Sequence, residues 1–276
     1  MKKSLILSLL AGALLGFTAC SDDDNVENPS EKVQGTYSGY TVASSKYFSS
    51  QVAPDQTMTI TAGTTVGEVA IAYTSDTWGK ISISAATVSG SSESYTISGT
   101  GTSEMGMGGN TKEYTCTVAG TITSGVADLT FTCPQVMGGL NIVFCQGEIP
   151  AELVIPGNYT GYTQASSQYF QGMYSDDQTI TIVADGTNWK VNMTSETWGE
   201  FEISGVTATR TETGFKLEGK GTCKMGMGGN IKDYDVDFSG STDYAKENYS
   251  LKFSMPAVMG GMTIELLPGK APQTEE

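Results

Sequence analysis

The string MGMGGN occupies Met105 to Asn110 and returns, letter for letter, at Met225 to Asn230. Other blocks return at nearly the same offset. Gly35-Thr36-Tyr37-Ser38-Gly39-Tyr40-Thr41 comes back as Gly157-Asn158-Tyr159-Thr160-Gly161-Tyr162-Thr163, and Tyr47-Phe48 as Tyr169-Phe170. Thr74 to Gly79 (TSDTWG) matches Thr194 to Gly199 (TSETWG), and Pro134 to Gly139 (PQVMGG) matches Pro256 to Gly261 (PAVMGG). A period this long is a whole domain built twice rather than a small solenoid unit, so the fold has to close within one copy.

Inside each copy the apolar residues alternate, the pattern of a half-buried strand. Met58 and Ile60 stand among threonines, as do Ile180 and Ile182; Leu129, Phe131 and Cys133 alternate, as do Leu251, Phe253 and Met255. Gly, Ser, Asn and Asp cluster between such runs, where turns need them. No helical period is sustained. The count is about eight strands per copy in a meander, which closes most simply into an up-and-down barrel, with a two-sheet sandwich as the other architecture. The expected class is therefore all-β, two tandem antiparallel eight-stranded barrels, at residues 34–149 and 157–272. Residues 150–156 form a linker bracketed by Pro150 and Pro156, and residues 273–276 a tail.

The G-x-Y-x-G-Y-T opening, the T-S-x-T-W-G turn, the MGMGG turn and the V-M-G-G hairpin together resemble the calycin-like β-barrel domain of Bacteroidetes lipoproteins. The resemblance covers both copies and implies a lipocalin-type barrel and a cell-surface setting. It implies no catalytic residue and no one ligand.

In a meander, alternate turns share one end of the barrel. The motif-bearing turns are those carrying Tyr47 and Phe48, Trp78, Met105 and Met107, and Met137, so they gather at one mouth. In the second copy the same mouth collects Tyr169 and Phe170, Met173 and Tyr174, Trp198, Met225 and Met227, and Met259. The opposite turns differ between copies, as in Ser89 to Glu93 against Thr211 to Gly214. Two readings of the aromatic and methionine ring are open. Adaptable methionines and broad aromatic faces suit a bulky apolar or aromatic ligand. The same residues could instead plug the barrel, since eight strands can be filled by side chains alone. The second copy has Gly172-Met173-Tyr174 where the first has Ser50-Gln51-Val52, so it is expected to be the better binder.

The N-terminus reads as a targeting segment. Lys2 and Lys3 precede an apolar run from Leu5 to Phe17, and Phe17-Thr18-Ala19-Cys20 looks like a lipobox, although Phe17 stands where an aliphatic residue is usual. Residues 1–19 are then a lipoprotein signal peptide and Cys20 the acylated residue. Ser21-Asp22-Asp23-Asp24 resembles the acidic signal that sends such lipoproteins to the outer face of the outer membrane. Residues 20–33 are expected to be a solvated tether, too polar to build a core.

The chain has no histidine, which removes Ser-His-Asp and Cys-His catalysis, histidine-based zinc sites and histidine-ligated haem. With 30 acidic against 15 basic residues and a net charge of −15, it is repelled by nucleic acid and anionic lipid, leaving the lipid anchor as its membrane contact. Asp55 and Asp177, and Asp76 and Glu196, recur as carboxylates but are ordinary turn residues. No metal-type spacing and no cofactor motif appear. Cys116, Cys133 and Cys145 are replaced by Val236, Met255 and Leu267 in the second copy, so buried free thiols are expected; if a bridge forms, Cys133 with Cys145 on one hairpin is the pair to consider.

The function expected from these features is capture of a small bulky ligand at the cell surface, with a cobamide of the vitamin B12 type or another tetrapyrrole first, and transfer to a TonB-dependent outer-membrane transporter. Glycan binding through stacking aromatics is the second class. A ligand-free assembly subunit with filled barrels is the third.

Overall fold

In a computed structural model, residues 28–107, 110–226 and 230–273 are described. The signal segment, Cys20, Met227, the side chain of Met107 and the last three residues lie outside them. The strands of the first copy are β1 (Gly35–Ser44), β2 (Gln51–Ala62), β3 (Glu68–Ser75), β4 (Gly79–Ser91), β5 (Ser94–Met107), β6 (Asn110–Thr123), β7 (Val126–Cys133) and β8 (Leu140–Gln146). The second copy gives β9 (Gly157–Ser166), β10 (Met173–Asp185), β11 (Asn188–Ser195), β12 (Gly199–Arg210), β13 (Gly214–Met225), β14 (Lys232–Asp243), β15 (Tyr249–Met255) and β16 (Met262–Pro268). Each set is a closed antiparallel barrel in which neighbours in sequence are neighbours in space. The expected meander barrel holds and the sandwich does not.

Closure is made by the first strand of each copy, which pairs with the second strand along nearly its whole length, across a bulge, and with the last strand over its second half. Thus Thr36 faces Thr59, while Thr41 faces Phe144 and Ser44 faces Asn141. The seam explains the second glycine of the opening motif. A Cβ on Gly39 would lie 2.0 Å from the Cys145 carbonyl oxygen, and one on Gly161 1.9 Å from that of Leu267. Just beyond, Pro54 and Asp55 oppose the single residue Tyr40, and Asp176 and Asp177 oppose Tyr162. These are β-bulges, and Asp55 and Asp177 take the left-handed conformation there, at φ 54° and 56°. The recurrence of those two carboxylates is therefore a backbone matter.

The inward-facing residues fill both interiors. Met58, Ile60, Tyr73, Phe131 and Phe144 are at most 1% exposed in the first barrel, and Ile180, Val191, Ile203, Leu251 and Phe253 are fully buried in the second. Tyr73 stacks on Phe131 at 5.6 Å and Phe201 on Phe253 at 4.5 Å, so aromatic faces span each core.

Two short helices correct the expected boundaries. In α1 (Pro29–Lys32) Asn28 caps the N-terminus by accepting from the Ser30 amide, and α2 (Ala151–Val154) sits at the same place before the second barrel. Val33, Val154 and Ile155 are fully buried. Tyr37 donates its hydroxyl to the Val33 carbonyl at 2.7 Å, and Tyr159 does the same to Ile155 at 2.9 Å. Residues 28–33 thus belong to the first barrel, and most of the linker belongs to the second: each helical turn closes the end from which the first strand sets out. A few residues suffice because buried aliphatic side chains, Val33 at the first turn and Val154 and Ile155 at the second, anchor them against the core.

The proposed hairpin pairing of Cys133 with Cys145 is also corrected. Cys133 faces Leu140 and Cys145 faces Asp128. Cys133 points into the barrel, while Cys145 is half-buried against an outer-wall cluster with Tyr40 and Val52, so the wall separates them. None of the four described cysteines is bonded to another in this structure.

Candidate binding rim

The turn carrying Trp78 is built by its own sequence. Ser75 Oγ accepts from the amides of Thr77 and Trp78 at 3.1 and 3.2 Å, and Gly79 continues at φ 75° where a Cβ would strike the Glu104 carbonyl oxygen at 2.3 Å. The turn is an ST-motif followed by an obligatory glycine. Ser195, Thr197, Trp198 and Gly199 repeat it. This geometry throws the indole inward. Trp78 is 6% exposed and Trp198 4%. Trp78 Nε1 donates to Thr41 Oγ1 at 3.0 Å, and Trp198 Nε1 to Thr163 Oγ1 at 2.7 Å. The last residue of the opening motif and the tryptophan of the turn are thus two halves of one buried hydrogen bond, which satisfies a donor that could not otherwise be buried cheaply.

Phe48 stacks on Trp78 at 5.9 Å, and Met105 is 7% exposed beneath the same end. Phe170 and Met225 are partly buried against the second core. These residues cap the barrels. Below Trp78, Tyr73 donates to Gln56 Oε1 at 2.5 Å, and burial pushes its pKa up. The second barrel has Met193 at that place, 2% exposed, so the layer beneath Trp198 is less polar.

The remaining predicted residues face outward. Tyr47 and Tyr169 are each 75% exposed. Both stand on tight turns: the Ser45 amide donates to the Phe48 carbonyl at 2.9 Å and the Tyr47 amide to Ser45 Oγ at 3.0 Å, with Ser167, Tyr169 and Phe170 in the same arrangement. A phenylalanine packed down and a tyrosine held up are adjacent products of one turn. Met137 and Met259 are 45% and 49% exposed and hold φ of 49° and 47°, left-handed values that side chains with a Cβ adopt at a cost. The two turns touch, since a Cβ on Gly138 would meet Lys46 Cβ at 2.9 Å and one on Gly260 would meet Gln168 Cβ at 2.9 Å. Each barrel therefore presents a tyrosine and a strained methionine on adjoining turns. In the second barrel Met173 is 48% exposed, and Tyr174 packs against Tyr162 on the outer wall, their rings 6.1 Å apart.

Sequence reasoning did not single out the clefts that lie away from this rim. One, of about 450 Å³, is at the other end of the second barrel, lined by Thr213, Phe215, Ser241, Asp243, Asn248 and Tyr249. Its signal in the sequence is the longer turn Tyr244 to Asn248 where the first copy has Ser124-Gly125. A smaller one, about 240 Å³, lies between the barrels, with Tyr40 and Asp55 on one side and Arg210 and Tyr244 on the other. Among the described residues no group of histidine, cysteine or carboxylate side chains is arranged to hold a metal ion.

No curated protein matches the sequence. A solved structure from Bacteroides fragilis NCTC 9343, provisionally described as an outer membrane protein, aligns with a TM-score of 0.57 at 20% identity, over 87% of this chain and 99% of that one. A protein of unknown function from the DUF3598 family of Nostoc punctiforme aligns over 85% and 95% at 9% identity, with a TM-score of only 0.24. The sequence profile of the calycin-like β-barrel domain matches residues 33–144 and again 155–266, running from the buried anchor of each helical turn into the last strand of each barrel. The chain accordingly belongs to the calycin-like β-barrel domain family, as two tandem copies of that domain.

Proposed function

We propose that this chain is a non-catalytic binding protein, tethered to the outer membrane through a lipid on Cys20 and facing the exterior, that holds glycan on the outer rims of its barrels. The observation that carries this reading is the paired display of Tyr47 and Tyr169. Each ring is three-quarters exposed, at 75%, on a turn whose next residue is a phenylalanine packed partly buried against the core. A rigid exposed ring gives up little rotamer freedom on binding, and its flat face matches the C–H face of a sugar. The strained methionines beside them add an adaptable apolar edge. The apolar segment Leu5 to Phe17 ending at Cys20 supports export, and the Bacteroides fragilis likeness supports the shared fold.

The test is a glycan microarray followed by calorimetry on wild type, Tyr47→Ala, Tyr169→Ala and the double variant. Each single change should weaken binding about tenfold, the loss of one hot-spot aromatic, and the double should abolish it. Undiminished binding by a folded double variant removes the rim as the site.

Capture of a cobamide or other tetrapyrrole inside a barrel, for transfer to a TonB-dependent transporter, is favoured by one feature. The end of the second barrel that Trp198 caps carries Met193, Met225, Met255 and Met262, all buried or partly so, whose adaptable side chains can repack around a ligand. Entry requires Trp198 to leave Thr163. Equilibrium dialysis against cobalamin and haem decides it: uptake lost in Trp198→Ala but kept in Tyr169→Ala would move the site inside, and the second barrel would be the better binder.

A further inference from the structure

We infer that Cys116 and Cys133 are joined by a disulfide in the exported protein, a covalent clasp across β6 and β7 inside the first barrel. The ladder ends with Thr117 opposite Thr132, and the same register carried one step further sets Cys116 opposite Cys133. Directly opposed residues of antiparallel strands have Cα atoms roughly 4.5–5.5 Å apart, within the span a disulfide bridges. The sulfurs lie 3.0 Å apart and both residues are fully buried. Cys145 is on the far side of the wall and Cys223 is in the other barrel, so no other described pairing competes.

The fold itself does not ask for sulfur here. The second barrel fills the same two places with Val236 and Met255, both buried. Left reduced, the pair is crowded, since 3.0 Å is closer than two sulfurs normally approach without a bond. Outside the pair the Cys116 thiol finds only a long 3.7 Å contact with the Thr117 carbonyl. Their contact couples the two thiols, the pKa of Cys133 being drawn down by its hydrogen bonds with Cys116 and Ser103 and that of Cys116 pushed up by the pair and by burial. A disulfide relieves that crowding and removes both S–H donors from the core.

The hairpin supplies the alignment early. Thr123 pairs with Val126 across the two residues Ser124 and Gly125, whose φ values of 51° and 79° are those of a type I′ turn. Once that turn forms, the cysteines meet before the barrel closes over them. The oxidant is the disulfide of a thiol–disulfide oxidoreductase in the export compartment. One cysteine thiolate attacks it to give a mixed disulfide, and the other displaces the carrier. Two thiols lose two protons and two electrons, one S–S bond forms, and the carrier's disulfide leaves as a dithiol. In the closed barrel the bond is then sealed from reductant.

The full chain isolated from outer membranes, unfolded without reductant and treated with iodoacetamide, tests this. The intact mass should show two alkylated cysteines, not four, and peptide mapping should join Cys116 to Cys133 with Cys145 and Cys223 modified. Four alkylated cysteines overturn the proposal. Independently, reduction in denaturant followed by refolding with reductant present should lower Tm by about 10 °C. The double variant Cys116→Val with Cys133→Met, which carries the second barrel's residues, should show no such difference. An equal fall in that variant would equally overturn it.

Discussion

At the scale of single residues, the hydrogen bond from Trp78 to Thr41 and its twin from Trp198 to Thr163 decide what the motif-bearing ends are. Thr41→Val keeps the shape but leaves an indole N–H buried without an acceptor, and should cost about 1–3 kcal/mol in urea unfolding. Trp198→Ala removes the cap itself and should cost roughly 3–5 kcal/mol. Losses under 1 kcal/mol in both would mean that these ends are open and wet. The sequence shows that tryptophan and threonine both recur, but not which way the indole turns. A tryptophan before a glycine reads the same whether it faces in or out, and only the join to a residue more than thirty positions away settles it. Met137 gives the opposite case, an exposed residue with a backbone cost. Substitutions at such exposed positions are normally almost neutral, yet Met137→Val should destabilise by about 1–2 kcal/mol, because a β-branched side chain fits the left-handed region worse. Thermal or urea unfolding of that single variant is the check.

Elements show where sequence reading reaches and where it stops. The strands were legible because alternation marks one face of each, and the barrel followed from their number and short turns. The helical turns α1 and α2 were not, since four residues are too few for a helical period and their surroundings are polar. What could have exposed them is register: Val33 and Ile155 each stand two residues before the first glycine of their copy. Ile155→Ala should cost roughly 2–4 kcal/mol, a core-sized loss from a segment that reads as linker. The clasp from Tyr159 to Ile155 also predicts an alkaline limit. Burial first, with Tyr249 and Asp243 adding to it, raises Tyr159 to about 12 from an unfolded value of 10.0. The folded chain then holds a proton that the unfolded chain releases, so this contribution is complete below pH 10 and is lost as pH rises toward 12. Tyr159→Phe should flatten the fall in Tm across that window. A fall of unchanged steepness would place the alkaline sensitivity elsewhere.

For the whole molecule, duplication was the plainest message of the sequence, and the relation between the copies was the least legible. Tyr40 and Val52 lie on the outer wall of the first barrel yet are each only 8% exposed, because Ile149 and neighbouring linker residues pack over them. Arg210, at the end of β12, ties this linker to the second barrel. Its guanidinium donates to the Ile149 carbonyl and, at 3.3 Å, to Tyr244 Oη, pairs with Glu148 at 3.1 Å and lies 5.1 Å from the centre of the Phe215 ring. Glu148 is 80% exposed, so the ion pair itself adds little; the carbonyl and the ring make the joint. The first copy has no arginine at the matching turn, which is why a repeat comparison passes over it. If the proposed rims both bind, a joint that restricts how the barrels move raises the effective concentration at which a ligand held at one rim meets the other. Arg210→Ala should therefore leave the affinity for a single short glycan unchanged while lowering that for a long or clustered one by about tenfold or more. Small-angle scattering should show a broader distribution of distances between barrels in the same variant. If the scattering broadens and clustered binding does not weaken, the two rims act independently and the duplication serves stability rather than avidity.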